Sequence, residues 1–366
     1  MKICTPPTQC SDRLLSEKSI ATETVRLKLD FSTELFFGSD LSEKIVSFCR
    51  PLSLEIVLFA DSSLLDLYAK DLKQRLNALL LPIPSGEKAK TSDIIEKLSC
   101  ELFEKQIGRD ALFIALGGGA TCDAIGFLAS IYLRGVSLVF LPTTLLAMVD
   151  AAIGGKTAID TPFGKNLIGT FYPPKAVFID ERFLKTLPEI ERLNGLAEIF
   201  KLGLVSNRSL CYEKDPFLIK KAIQGKMAIV SQDFLDQSIR RILNFGHTIA
   251  HALETISNYE MPHGLAVALG CVVESHLSWQ LKMLSESDWR EILNLYQIFP
   301  LRLPKNYQRD AFLQALILDK KRTQKAARFV LLEKIGKASP FDGEYCREVS
   351  GDELLMSLEW MEKTYG

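Results

Sequence analysis

Histidine is scarce in this chain, four in 366 residues, so imidazole chemistry has few places to reside. Cysteine is commoner, but the eight (Cys4, Cys10, Cys49, Cys100, Cys122, Cys211, Cys271 and Cys346) include no Cys-x-x-Cys pair, and so long a chain needs no disulfide staples. The pattern reads as a reduced, cytoplasmic protein. Neither sign of charge is in excess: 44 Lys and Arg face 45 Asp and Glu, and a formal net charge of −1 gives no reason to expect nucleic acid or an anionic membrane as partner. The start, MKICTPPTQCSDRLLSEK, lacks the apolar segment of a secretory signal. The most apolar stretch, Val136 to Ile153, is broken by Pro142, Thr143, Thr144 and Asp150, which speaks against a membrane span. There is no internal repeat and no low-complexity segment. What remains is an ordinary globular composition, 47% hydrophobic and 24% charged, in a chain long enough for two domains.

Residues 1–19 read as a polar leader. Thr24 to Phe37 alternates apolar and polar residues, as a half-buried strand does. Leu54 to Ala60 is a continuous apolar run suited to a strand buried on both faces, and a helical pattern follows from Leu64 to Leu80. A Pro/Gly loop over 82–90 precedes a helix expected from Ser92 to Lys105, with Ser92 or Asp93 near its cap. Ala111 to Leu116 is a further buried strand, and Val177 to Asp180 is expected to be the last. Strands alternating with helices argue for a parallel sheet. From Leu184 onward the periodicity is mostly helical.

Three stretches carry candidate chemistry. The strand at 111–116 runs into Gly117-Gly118-Gly119, where backbone amides and a helix N-terminus could receive a phosphate; the strict dinucleotide fingerprint fails, because Cys122 stands where its third glycine belongs. Gly154-Gly155-Lys156-Thr157 resembles the end of a Walker A loop, but the leading glycine position is Asp150, so a P-loop is rejected. Lys156 and Lys165 nonetheless lie in glycine-rich turns where an ammonium can meet an anion. The third stretch, Arg240 to His263, holds three of the four histidines. His247 and His251 are four apart and share a helix face, which makes them the expected ligand pair for Zn or a similar divalent ion, with His263 nearby and a carboxylate to be found elsewhere. Glu198 and Lys201 are three apart in the apolar helix Arg192 to Val205. The spacing leaves open whether they form an internal salt bridge or Glu198 supplies the missing carboxylate.

Taken in order, SGEKAK, GGGATCDAIGFLAS, RGVSLVFLPTTLLAMVDAAIGGKTAIDTPFGKNLIGTFYPP, FLKTLPEIERLNGLAEIFK, RRILNFGHTIAH, HGLAVALG and DKK resemble the 3-dehydroquinate synthase family of sugar-phosphate cyclases over Leu54 to Gly336. The resemblance implies an α/β plus all-α fold: a Rossmann-like NAD-binding domain over 20–182, an all-helical metal- and substrate-binding domain over 183–366, and a site in the cleft between them. It implies that Glu198, His247 and His263 hold Zn2+ or Co2+, which splits the His247–His251 pair and leaves His251 in the outer site to move protons. NAD+ would be held by Ser85, Gly86, Glu87, Lys88, Ala89 and Lys90, by Gly119, Ala120, Thr121, Cys122 and Asp123, by Thr143 and Thr144, by Lys156 and Lys165, and by Phe183, Leu184, Lys185 and Thr186. The polar site for a seven-carbon sugar-acid phosphate would comprise Arg134, Asp150, Lys156, Lys165, Asn166, Lys201, Lys226, Arg240, Asn244 and Lys320.

The implied reaction oxidises the C5 hydroxyl by NAD+, which acidifies the C6 proton, eliminates phosphate, reduces the ketone again and closes the ring by an aldol step. A homodimer is the expected assembly. Cys122, Ala151, Ala152, Ala250, Leu265, Ser238 and Phe234 depart from the family pattern. Leu265 stands where a glutamate normally follows His-Gly, and loss of a carboxylate behind a metal ligand predicts weaker metal binding with activity retained. The competing readings are a related cyclase or a metal-dependent polyol dehydrogenase on the same scaffold, and a non-catalytic NAD-binding scaffold.

Overall fold

The computed structural model describes residues 32–212, 218–323 and 327–366. Through the first half, strands and helices alternate: β1 (Glu34–Gly38), α1 (Ser42–Cys49), β2 (Ile56–Asp61), α2 (Lys70–Leu76), β3 (Leu79–Ile83), α3 (Ser92–Glu104), β4 (Leu112–Gly117), α4 (Gly119–Ile131), β5 (Ser137–Pro142), the hairpin β6 (Lys156–Thr161) and β7 (Gly164–Phe171), and β8 (Ala176–Asp180). Helices α5 (Glu189–Ser206), α6 (Leu218–Val230), α7 (His247–Ile256), α8 (His263–Gln280), α9 (Glu286–Leu295) and α10 (Arg309–Thr323) follow. Four short strands, β9 (Arg328–Phe329), β10 (Leu332–Lys334), β11 (Lys337–Ala338) and β12 (Arg347–Glu348), then lead to α11 (Gly351–Tyr365).

Six strands form one all-parallel sheet in the order β1-β8-β5-β4-β2-β3. The inner strands β2, β4 and β8 are buried along their whole length, which is why each reads as an unbroken apolar run. The fold is therefore an α/β sheet followed by a helical region, as expected. Residues 32–366 pack as one compact unit. One apolar cluster runs from the sheet into α5, α6 and α8, and a second joins α7, α8, α10, α11 and β9.

Several local expectations are corrected. The helical pattern from Leu64 stops at Leu76, where Asn77 turns left-handed (φ 53°), and Leu79–Ile83 becomes the edge strand β3. A short apolar run does not distinguish strand from helix, and Pro82 is tolerated there because the edge needs no second donor. Thr91, not Ser92 or Asp93, caps α3, its hydroxyl accepting from the Ile94 N–H. Lys156 and Lys165 lie in the antiparallel hairpin β6–β7, not in turns. Val177–Asp180 is not the last strand: β9 pairs with β12 and β10 with β11, segments of two or three residues too short to show a period. The leader 1–19 and residues 24–31 of the first expected strand lie outside the described residues. Among the described residues no helix is long and apolar enough to cross a membrane, and Cys49, Cys100, Cys122, Cys211, Cys271 and Cys346 are free thiols.

Candidate metal and cofactor site

Three helices meet at the histidine cluster. Helix α5 brings Glu198 and Lys201, both buried; α7 begins with His247 and α8 with His263. Small residues permit the meeting. A Cβ on Gly264 would lie 2.3 Å from the Asn194 Cα, and one on Gly270 2.0 Å from the Gly246 carbonyl oxygen, so α8 touches backbone on both sides. Glu274, wholly buried on α8, accepts the Gly246 N–H at 2.7 Å and closes the N-terminal end of α7. Burial pushes its carboxyl up to about 8.

Glu198 Oε1 stands 3.6 Å from His247 Nε2 and 3.5 Å from His263 Nε2. A tetrahedral ion with bonds of about 2.0–2.1 Å spaces its ligands about 3.4 Å apart, so the three atoms fit a divalent ion. They form a potential metal-holding group, and His251 lies outside it. The expected His247–His251 pair is thus divided: the His251 ring centroid is 5.5 Å from that of His247, one exposed turn further along α7. Neither Glu198 oxygen has a hydrogen bond of proper geometry, although both are buried. The Lys201 ammonium contacts Oε2 as an ion pair, which leaves Oε1 facing the two imidazoles. An unsatisfied buried carboxylate beside two ring nitrogens is the donor set a metal requires.

The electrostatics agree. Burial opposes the Glu198 carboxylate, yet Lys201 and the imidazoles hold it well below its ordinary range. Burial and the Lys201 charge push His247 down to about 3. Burial also opposes a charge on His263, but Glu198 and Glu254 outweigh it and push that ring up to about 10. A proton there satisfies the carboxylates that a divalent cation would satisfy.

Beside this cluster, Lys226 donates to the Asp150 backbone carbonyl at 2.8 Å and pairs with its carboxylate. Burial draws the Lys226 ammonium below its ordinary range. A small cavity of about 10 Å³ is lined by Asp150, Glu198, Lys201 and Lys226 with apolar Val149, Ile199, Leu202, Ala222 and Leu243. Arg240, 3% exposed, donates to the Gly154 carbonyl at 3.1 Å. Asn244 is exposed in the turn before α7.

Apart from Lys156 and Lys165, which lie in the β6–β7 hairpin, the candidate cofactor residues follow the C-terminal ends of sheet strands, where open α/β sheets bind ligands. Ser85 to Lys90 follow β3, Gly119 to Asp123 follow β4, Thr143 and Thr144 follow β5, and Phe183 to Thr186 follow β8. Helix α4 starts without a side-chain cap at Gly118, leaving its first N–H groups free for an anion. The buried Thr121 hydroxyl has no partner. An open helix N-terminus beside an orphaned hydroxyl fits a phosphate-bearing cofactor. Cys122 is buried beneath this turn, and burial pushes its thiol up. Lys90, 3% exposed, joins Asp123 (2.8 Å), Glu87 (3.9 Å) and Asp160 (3.9 Å), and contacts Asn166 of β7. Burial raises the Asp123 carboxyl in spite of that ammonium.

One expected residue does not join. Arg134 is exposed just ahead of β5, whereas Thr143 follows its other end. At about 3.3 Å per strand residue the two lie roughly 20 Å apart. The Lys320 side chain lies outside the described residues. Conversely, three acids outside the expected set contact candidate site residues. Asp236 pairs with Lys156, Asp160 accepts the Asn166 N–H at 2.8 Å, and Glu254 lies 3.3 Å from His263 Nδ1. Glu254 left a trace in the sequence, since it is two helical turns from His247 on the same face.

Family profiles match most of this chain: the 3-dehydroquinate synthase N-terminal description covers residues 80–194, and the C-terminal one residues 195–322. A 3-dehydroquinate synthase of Thermodesulfovibrio yellowstonii is 37% identical over 87% of the chain and 93% of that protein. One from Helicobacter pylori is 40% identical over 78% and 87%. Among solved structures, the 2-epi-5-epi-valiolone synthase ValA of Streptomyces hygroscopicus, with NAD+ and Zn2+ bound, superposes with a TM-score of 0.83 at 26% identity, over 93% of this chain and 99% of that one.

Proposed function

The chain belongs to the 3-dehydroquinate synthase family, and from that premise we propose that it converts 3-deoxy-D-arabino-heptulosonate 7-phosphate into 3-dehydroquinate and phosphate, a carbon–oxygen lyase reaction of the shikimate pathway. The observation that carries this reading is the convergence of Glu198, His247 and His263 beside a buried cavity lined by Lys201, Lys226 and Asp150. When bound, NAD+ supplies a hydride acceptor that returns its hydride within the turnover, and a divalent ion (Zn2+ or Co2+) supplies a Lewis acid.

Glu198 Oε1 and the Nε2 atoms of His247 and His263 would hold the ion. Lys201 compensates the second Glu198 oxygen, so that the carboxylate stays ionised where burial alone would protonate it. Lys226 and Arg240, both buried, bring positive charge into the site, where fixed donors stabilise developing oxyanions more than solvent does. Asp150 keeps Lys226 aimed at the cavity. His251, exposed on α7, is placed to pass protons to solvent. Thr121, the amides opening α4, and Lys90 with Asp123 would take the cofactor. The substrate's two anionic ends suit the basic residues gathered in a chain of near-zero net charge. The same reading makes the enzyme a cytoplasmic homodimer with no nucleic-acid or membrane partner.

The test is phosphate release from the keto-acid phosphate with NAD+ and Zn2+ or Co2+. Wild type should release phosphate with no net NADH, and Glu198→Gln should lose both bound metal and turnover. Steady NADH accumulation with a simple polyol, and no phosphate release, would transfer the chain to the dehydrogenase reading.

A further inference from the structure

Position 265 offers no carboxylate to the site: it is a buried leucine. The His263 ring nevertheless has one. Glu254 Oε1 lies 3.3 Å from His263 Nδ1, while Nε2 of the same ring faces Glu198 at 3.5 Å. Glu254 is 3% exposed, and it sits on α7, the helix that begins with His247. One helix therefore supplies a metal-facing imidazole at its start and, two turns later, the acid behind the imidazole of the next helix. A proton shared between Nδ1 and Glu254 fixes the tautomer and leaves the Nε2 lone pair directed at the cluster, the role carboxylates play behind metal-bound histidines.

The same oxygen has a second claimant. Lys165, reaching over from β7, places Nζ 3.4 Å from Glu254 Oε1 and 4.5 Å above the Tyr259 ring. Its side chain keeps 25% of its exposure, so it is open to an incoming anion as the buried Glu254 is not.

Resting on the metal-site reading above, we propose that Glu254 is the positioning residue for His263 and that Lys165 shares it, so that an anion bound at Lys165 tightens metal binding at His263. An oxyanion that draws Lys165 away leaves Glu254 wholly to the imidazole. The ring becomes a stronger donor, and by reciprocity the metal tightens the anion. The substrate's phosphate or carboxylate is an oxyanion of the required kind.

The experiment reads metal affinity rather than turnover: competition for Zn2+ with a chromophoric chelator, with and without sulfate, an oxyanion that does not precipitate zinc. Wild type should bind one Zn2+, about fivefold or more tighter with sulfate, near the lower end of usual couplings. Glu254→Gln should bind Zn2+ about 10–100-fold more weakly, and Glu254→Asp should recover part of the loss. Lys165→Met should bind Zn2+ without any response to sulfate. Thermal melts of the metal-free proteins separate misfolding from mispositioning. A Glu254→Gln affinity within twofold of wild type overturns the positioning role, and a sulfate response that is missing in wild type or intact in Lys165→Met overturns the sharing. Failure of wild type to bind Zn2+ at all would instead strike the metal-site reading itself.

Discussion

Adding one methyl group at Gly270 should separate the two halves of the metal site. A Cβ at this position would lie 2.0 Å from the Gly246 carbonyl oxygen, 2.8 Å from its carbon and 3.1 Å from its Cα. All three are backbone atoms, so no side chain can rotate away. A carbon–oxygen contact needs about 3.3 Å, so α8 and the start of α7 must part by roughly 1.3 Å. His247 is the residue after Gly246, and the bond from the Gly246 N–H to Glu274 belongs to the same contact. Metal ligation tolerates errors of only about 0.2 Å in ligand distance, and misplacement by about 1 Å costs on the order of 10²-fold in rate. Gly270→Ala should therefore weaken Zn2+ binding by about 10²-fold, lower kcat/KM at limiting metal, and destabilise the fold by about 3 kcal/mol, the upper range for overpacking. Chelator competition, phosphate-release kinetics and thermal melts measure these. Gly351→Ala, where a Cβ meets nothing within 4 Å, is the control and should leave all three unchanged. A Gly270→Ala protein with wild-type Zn2+ affinity and melting temperature would refute the claim that glycine contacts set the ligand spacing.

Two further outcomes follow from buried titratable groups away from that contact. His276 is stacked on Trp360, flanked by Trp279 and Trp289 and hydrogen-bonded through Nδ1 to Ser357 at 2.9 Å, and burial pushes it down to about 4 from an ordinary 6.5. Below pH 6.5 the unfolded chain takes up a proton that the folded chain refuses until about pH 4, so stability falls across that window by up to about 3 kcal/mol; urea titrations from pH 7 to 4 should show a shallower loss for His276→Phe, and an unchanged slope would contradict this. Lys90→Met would leave Asp123, Asp160 and Glu87 facing one another without their shared cation. Removing the buried ammonium should destabilise the fold, by less than the about 3–5 kcal/mol of a fully buried pair because Asp123 and Asp160 keep 20% and Glu87 53% of their side-chain exposure, and should weaken NAD+ binding in a fluorescence titration, with wild-type behaviour as the contrary result.

How much of this was legible in the residues depended on whether a signal was local. Runs such as Leu112 to Gly117 are apolar because both faces of their strand are covered, so the run and the strand are the same fact. The glycines after that strand announce a turn that backbone must approach closely. By contrast, β3 was hidden inside a longer apolar pattern, because three leucines in a row suit either period. The hairpin carrying Lys156 and Lys165 has the sequence of turns, since its glycines mask a two-stranded pairing decided by contacts between residues about ten apart.

The candidate site divides along the same line. By itself the sequence determined the inventory: few histidines, three of them within seventeen residues of one another (247–263), a glutamate and a lysine on one face of an apolar helix, and glycine where strands give way to helices. Helical spacing could pair His247 with His251, because both lie on one helix. Only the tertiary structure replaced that partner with His263, set Glu198 between the two rings, placed Glu254 behind one of them and left Arg134 at the far end of β5. Those choices depend on how closely α5, α7 and α8 approach. That distance is set by backbone contacts at Gly246, Gly264 and Gly270 and is not encoded in the periodicity of any one helix.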